Sequence, residues 1–201
     1  MTTDLATSAP TAPAEGADGR RGSLPPWPAA TLAALVVIGA IARAHGFSSL
    51  DLWFDDAWAA APARVGLSQA VHMVLTAPGY GLALRSWVRL DPATTWFAQI
   101  PAFVLGLCAI PAVYALLRYF GSSRWISLAG SAAVAVSPVA VQYSTRLKEY
   151  PFDLLSACAL LWLEERARRT GDPRSLAALA AASVAAFFVS AGTAPVIAAA
   201  S

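Results

Sequence analysis

The chain has 201 residues, of which 57% are hydrophobic and only 13% are charged, and its formal net charge is +2. Soluble domains carry about 25% charged residues, and one water-soluble core of this size cannot bury so much apolar surface. The composition therefore excludes an ordinary soluble domain and predicts an integral membrane protein. Its basic residues are spread over the ends of apolar segments rather than interleaved with aromatics, so no nucleic-acid partner is expected.

Residues 1–23 are rich in Ala, Thr, Gly, Pro and charge, and they predict a disordered cytoplasmic tail. The rest of the chain, residues 24–201, is predicted to be one transmembrane module. Its first span covers residues 28–44, where Arg43 is expected to extend its side chain to the membrane interface. Further segments near the 20 or so residues that a spanning helix needs are 92–118, 124–143, 150–167 and 174–201. The predicted fold is all-α, a polytopic transmembrane helical bundle of about five spans.

Residues 78–90 form a shorter apolar segment that contains Arg85 and Arg89. If this segment crossed the membrane, the later arginine clusters would face outward, against the positive-inside rule. We therefore predict an interfacial amphipathic helix within one long external loop, residues 45–91. In this topology the N-terminus is cytoplasmic and the protein is multi-pass in the cell membrane. The Ala-rich composition, with Arg in excess of Lys, favours a bacterial plasma membrane.

Residues 52–58 read LWFDDAW, which sets Asp55 and Asp56 among three large aromatics just after the first span. In the predicted topology, the segment YSTRLKEYPFD (143–153) lies on the same external face. Acidic and basic side chains from two separate loops are then expected to line one cavity at the lipid–water boundary. Carboxylates in such a place can act as a general base or as metal ligands, and Arg146 and Lys148 can hold a phosphate.

The same residues also have simpler interpretations. Trp53, Phe54 and Trp58 are typical of an interfacial aromatic belt. Asp55 fits the N-cap of the following helix, with Asp56 in its first turn. Three basic residues fit ordinary solvated or interfacial positions: His72, Arg146 and Lys148.

Asp153 is harder to explain as a solvated charge. It is predicted to lie about one turn into an apolar helix, where an ionised group is costly and usually has a partner. Lys148 is the nearest candidate partner in the sequence.

Four pieces of the chain, in this order, resemble a known family. They are LWFDDAW, HMVLTAPGYGLALRSWVRL (72–90), FAQIPAFVLGLCAIPAVYALLRYFG (97–121) and AVSPVAVQYSTRLKEYPFDLL (135–155). Together they look like the polytopic GT-C glycosyltransferases of the family 39 and protein-mannosyltransferase-like group, which includes the aminoarabinose transferases of lipid A. The resemblance covers about residues 28–200.

This resemblance implies transfer of a sugar from a polyprenyl-phosphate donor to a glycan, lipid or protein acceptor on the external face. Asp55 would be the general base or position the acceptor, and Asp56 would help to bind a divalent metal ion, the only cofactor expected. Lys148, with Arg146 and Tyr150, would bind the phosphate or lipid of the donor. Further site candidates are His72, Tyr80 and Asp153.

The chain departs from the family in two ways. Its acidic pair is Asp-Asp where Asp-Glu is common, and family members are much longer. We therefore expect the N-terminal portion of such an enzyme. Two alternatives remain, a non-catalytic or inactive truncated membrane protein and a transporter. A transporter is the weaker alternative, because its ionisable groups would be expected near mid-membrane rather than at the ends of the spans.

Overall fold

The computed structural model describes residues 26–45, 54–73, 77–92 and 94–199. The predicted tail, residues 1–23, and Trp53 lie outside the described residues. Within them the chain is helical and contains no strand, which confirms the all-α prediction. The α-helices are α1 (Pro26–Ala44), α2 (Phe54–Arg64), α3 (Leu67–Ala70), α4 (Pro78–Val88), α5 (Thr95–Tyr119), α6 (Arg124–Val136), α7 (Pro138–Tyr143), α8 (Tyr150–Thr170), α9 (Pro173–Val189) and α10 (Ala194–Ala199). Short 3₁₀ helices cover Val71–Met73 and Ala191–Thr193.

Two of the described helices are long and apolar enough to cross a membrane, Trp27–Ala44 in α1 and Thr95–Tyr119 in α5. Two shorter apolar helices, α6 and α9, do not reach that length. At 1.5 Å per residue, α5 extends about 37 Å, more than the apolar thickness of a bilayer. Membrane association is thus supported by these two helices.

The long helix α5 is the central element, in contact with α1, α4, α6, α7 and α8. Small residues let the helices approach closely. A Cβ built on Gly39 would lie 2.6 Å from Ile110 Cδ1, and one on Gly130 would lie 2.6 Å from Leu117 Cδ1. Close approach through small residues is the usual way in which apolar helices pack when water does not drive them together.

The predicted span 124–143 is not continuous. It breaks at Ser137 into α6 and α7, because Pro138 has no N–H and cannot continue the hydrogen-bond ladder. The Ser137 side chain caps the new helix by accepting a hydrogen bond from the Ala140 N–H. The predicted span 174–201 is also interrupted, at Ser190, before a 3₁₀ turn and α10.

The Arg43 side chain does not extend outward from the bundle, contrary to the prediction. Its residue is 0% exposed, and its guanidinium points into the helix bundle. The amphipathic prediction for 78–90 also needs a correction at Arg85, which is buried in α4. The Arg85 guanidinium donates to the carbonyls of Pro62, at 3.0 Å, and Val65, at 2.5 Å, and so satisfies the C-terminal end of α2.

Helices α2 and α4 pack against each other around a small apolar core, and α4 also contacts α9. Leu147, from the loop between α7 and α8, inserts into this core and is 0% exposed. The other members of the core are Ala59, Ala60, Ala63, Ala77, Tyr80, Leu84, Val88 and Ala98. The burial of Leu147 therefore holds the second predicted external loop against the helices of the first.

Candidate functional site

The two adjacent aspartates differ sharply in exposure. Helix α2 begins at Phe54, so both carboxylates lie inside its first turn, and Asp55 is not at the N-cap position that we predicted. Consecutive residues of an α-helix point about 100° apart. As a result the Asp56 side chain is 1% exposed, whereas that of Asp55 is 71% exposed. Both carboxylates are favoured by the positive end of the helix dipole.

Asp56 joins the two loops. One carboxylate oxygen accepts the Leu147 N–H at 3.0 Å, and the other accepts Nη1 of Arg146 at 3.2 Å. These partners lie about 90 residues further along the chain. The contact is deeply placed, since the Arg146 side chain is only 19% exposed. Asp56 thus acts as the anchor between α2 and the loop that carries Arg146.

Lys148 and Asp55 form a second, more open ion pair. Lys148 Nζ lies 3.8 Å from Asp55 Oδ2, with side-chain exposures of 26% and 71%. An exposed pair at this distance contributes little to stability, because water screens it and both side chains lose entropy. Lys148 and Asp55 are therefore held loosely side by side, and both can turn to a ligand. The structure thus brings together four of the charged residues that the sequence singled out, namely Asp55, Asp56, Arg146 and Lys148.

Tyr80 is buried near the carboxylates of Glu149 and Asp56. Its residue is 8% exposed, and burial raises the pKa of its phenol, with a further increase from the negative charges of Glu149 and Asp56. The ring therefore remains a neutral phenol and packs in the α2–α4 core.

Glu149 is a site residue that sequence reasoning missed. It lies between Lys148 and Tyr150, and its charge is close enough to affect Tyr80. Its Oε2 atom is buried and has no hydrogen-bond partner among the described residues. It occupies the N-cap position of α8 without making a side-chain cap. The sequence did contain a signal for Glu149, because it is the acidic residue between Lys148 and Tyr150 in the predicted external segment 143–153.

Tyr150 is 46% exposed, and its ring lies 4.4 Å from that of Tyr143, centroid to centroid. Beside this pair lies a cavity of about 220 Å³. Its lining is mostly apolar: Arg43, Gly106, Ala109, Val134, Ser137, Val139, Ala140, Tyr143, Ser144, Tyr150, Pro151 and Leu154. The charged cluster and the apolar cavity therefore both lie at the N-terminal end of α8, next to Tyr150.

Two of the predicted site residues lie apart from this cluster. Asp153 accepts a hydrogen bond from the Ser190 hydroxyl, so its partner is Ser190 and not the predicted Lys148. Asp153 thereby ties the first turn of α8 to the interruption after α9. His72 is exposed on the 3₁₀ helix Val71–Met73, and the contacts described for this part of the chain do not connect it with Asp55, Asp56 or Lys148.

The residues around Asp56 do not fit a metal ion. Both carboxylate oxygens already face donors, and one of these donors is a cationic guanidinium. No group of three or more His, Cys, Asp or Glu side chains that could hold a metal is found among the described residues. Asp56 is therefore engaged within the fold rather than arranged to bind a metal ion.

Comparison with known proteins adds no relative. No family model, no curated protein and no solved structure matches the chain.

Proposed function

We propose that this protein is a GT-C-like glycosyltransferase that transfers a sugar from a polyprenyl-phosphate donor to an acceptor outside the membrane. The observation that carries the proposal is the contact between the acidic turn of α2 and the basic loop before α8. That contact sets an exposed carboxylate, Asp55, beside an ammonium group, Lys148, at 3.8 Å. A carboxylate next to a cation is what this displacement requires.

In the proposed reaction, an acceptor hydroxyl attacks the anomeric carbon of the donor sugar. The new C–O bond forms as the bond from the anomeric carbon to the phosphate oxygen breaks, with inversion of configuration. Asp55 takes the acceptor proton, and the polyprenyl phosphate leaves with an additional negative charge. Lys148, with Arg146 next to it, offsets that charge. When the phosphate engages Lys148, Asp55 is released from its ion pair and becomes a free base.

The surroundings of the cluster support a lipid-linked donor. Phe54 and Trp58 are 75% and 46% exposed, and their rings meet edge-to-face at 5.7 Å. Exposed aromatics of this kind are typical of the membrane interface. We propose that the apolar cavity beside Tyr150 receives the part of the hydrocarbon nearest to the phosphate. No nucleotide cradle is needed for such a donor.

We further propose that the five-span topology holds, with α6 and α7 together as one broken span and α9 and α10 as another. Residues 124–143 cover about 30 Å if counted as one helical path. Arg169 donates to the Tyr119 carbonyl at 3.1 Å, so the C-terminal ends of α5 and α8 meet. The arginines of this end would face the cytoplasm, as the positive-inside rule favours.

The topology is tested by labelling single cysteines in intact cells, in a background with Cys108 and Cys158 replaced by alanine. Cysteines at Ala57 and Gln142, both exposed, are expected to react with an impermeant maleimide. A cysteine at Thr170, also exposed, is expected to react only after the cells are opened. If the positions 57 and 142 label from opposite sides, the two loops do not share the external face and the proposed topology is wrong.

The activity is tested by Asp55→Asn in cells that depend on this gene for an envelope glycan. We expect transfer, measured by mass spectrometry of the glycan, to fall at least about 100-fold, because a general base contributes that much. The protein level in the membrane should stay unchanged, since Asp55 is 71% exposed. Glu164→Gln, a carboxylate on α8 near the opposite end, serves as the matched control. Full transfer by both Asp55→Asn and Lys148→Gln would favour the non-catalytic alternative.

A further inference from the structure

Arg43, in the last turn of α1, is the largest of the fully buried side chains, and it lies inside an apolar bundle. No carboxylate among the described residues forms an ion pair with it. A guanidinium in such a place is expensive unless polar atoms satisfy it. The groups that accept its hydrogen bonds therefore indicate the structural role of Arg43.

The Arg43 guanidinium makes four hydrogen bonds, and three of them go to backbone carbonyls. Nη1 donates to Gly39 and to Ala135, each at 3.0 Å, and Nη2 donates to Val134 at 3.1 Å. Nε donates to the Ser144 hydroxyl at 3.0 Å. Arg43 thus connects α1 both to the end of α6 and to the residue that follows α7.

The two acceptors at the end of α6 are open because of Pro138. In a continuous helix, Val134 would accept from the N–H of residue 138, and proline has none. The backbone turns away at Ser137, with ψ of 123°, so Ala135 also loses its helical donor. Unpaired carbonyls in an apolar interior are costly, because they lose their hydrogen bonds to water without a replacement. The Arg43 fork supplies the donors that the proline break removes.

The fourth hydrogen bond leads to the candidate site. Ser144 is the C-cap of α7, and its hydroxyl also donates to the Ala140 carbonyl at 2.5 Å. The next residues are Thr145, then Arg146 and Leu147, which hold Asp56. Arg43 and Asp56 therefore hydrogen-bond to the same short loop, Arg43 at Ser144 and Asp56 at Arg146 and Leu147.

We infer that Arg43 is a positioning residue for the basic loop, residues 144–148. It holds the helix break and Ser144 in place, and through them it sets where Lys148 stands relative to Asp55. An effect of Arg43 on catalysis rests on the proposed function, but its effect on the position of the loop does not. The two are tested separately.

The test is crosslinking of cysteines at Asp55 and Lys148 in the full chain, in membranes, with Cys108 and Cys158 replaced by alanine. A short bifunctional thiol reagent reports how often the two positions come close. We expect Arg43→Met to lower the crosslinking rate about five-fold, equivalent to roughly 1 kcal/mol. Arg43→Lys should lower it nearly as much, because one ammonium group cannot reproduce the planar fork. Arg118→Met is the control, since Arg118 lies near the C-terminal end of α5, where its guanidinium donates to the Ser122 carbonyl.

A rescue separates positioning from general loss of folding. Pro138→Ala returns the missing N–H but not the link to Ser144, so adding it to Arg43→Met should raise crosslinking from about five-fold to about two- to three-fold below the parent, the level of Ser144→Ala. Ser144→Ala removes the link between Arg43 and the loop, together with the hydrogen bond from Ser144 to the Ala140 carbonyl. It should lower the rate two- to three-fold (about 0.5 kcal/mol) without rescue by Pro138→Ala.

The positioning role is overturned if Ser144→Ala crosslinks at the parental rate, or if Pro138→Ala does not raise the crosslinking rate of the Arg43→Met variant. If Arg43→Met does not accumulate in membranes, Ser144→Ala decides alone. Lower crosslinking in these variants, together with full glycan transfer by Asp55→Asn, would retain the positioning role and remove the proposed function.

Discussion

Asp56→Asn is expected to lower the free energy of unfolding by about 2–3 kcal/mol, because it removes the anchor between the two loops. The side chain is 1% exposed and accepts two hydrogen bonds, from the Leu147 N–H and from Arg146. An amide keeps the volume but turns one acceptor into a donor, so one of these contacts is lost. In detergent, the midpoint of thermal unfolding should fall by about 5–10 °C for a chain of this length.

Asp55→Asn is the matched control for this measurement. It changes the neighbouring residue in the same way, but its carboxylate is 71% exposed and its pairing with Lys148 is long, at 3.8 Å. Its effect on stability should stay within about 0.5 kcal/mol. Equal destabilisation by the two variants would contradict the distinction between a buried anchor and an exposed base.

Gly106→Ala is expected to be the most disruptive single methyl group added to the bundle. A Cβ at this position would lie 2.6 Å from Ser144 Cβ and 3.3 Å from Arg43 Nε. Glycine to alanine inside a helix normally stabilises by about 1 kcal/mol, so the sign of the effect is informative. Here α5 and the Ser144 segment must move apart, and we expect a net loss of about 3 kcal/mol, measured by thermal unfolding and by the monomer fraction in detergent.

Two variants check that explanation. Gly66→Ala, where the nearest atoms lie at 3.9 and 4.0 Å, should change stability by less than about 0.5 kcal/mol. Adding Ser144→Gly to Gly106→Ala removes the clashing Cβ and should recover part of the loss, although the Arg43 contact is then missing. Unchanged or higher stability of Gly106→Ala alone would mean that α5 and Ser144 do not touch in solution.

The two aspartates of LWFDDAW thus have different roles. Asp56 turns inward and serves the fold, by holding Arg146 and Leu147, whereas Asp55 turns outward beside Lys148 and can serve chemistry. Buried carboxylates that already accept two donors are poor bases, since their lone pairs are occupied. Substitution of Asp56 should therefore lower stability, whereas substitution of Asp55 should lower glycan transfer.

Several features of this protein follow from the sequence alone. The apolar composition predicts helices in a membrane, and the positions of α1, α5 and α8 follow from runs of apolar residues, because hydropathy is summed over neighbours in the chain. The placement of Asp55 and Asp56 in a helical first turn follows from local preference, to within one residue.

Other features were decided only by the tertiary structure. The inward turn of Arg43, the pairing of Asp153 with Ser190 and the contact of Asp56 with Arg146 each join residues that are 37 to 92 positions apart. A hydropathy window or a helical period contains no information about such partners. A polar side chain in an apolar bundle must find donors or acceptors wherever packing brings them, so Arg43 turned to the carbonyls that a distant proline left open instead of to the interface.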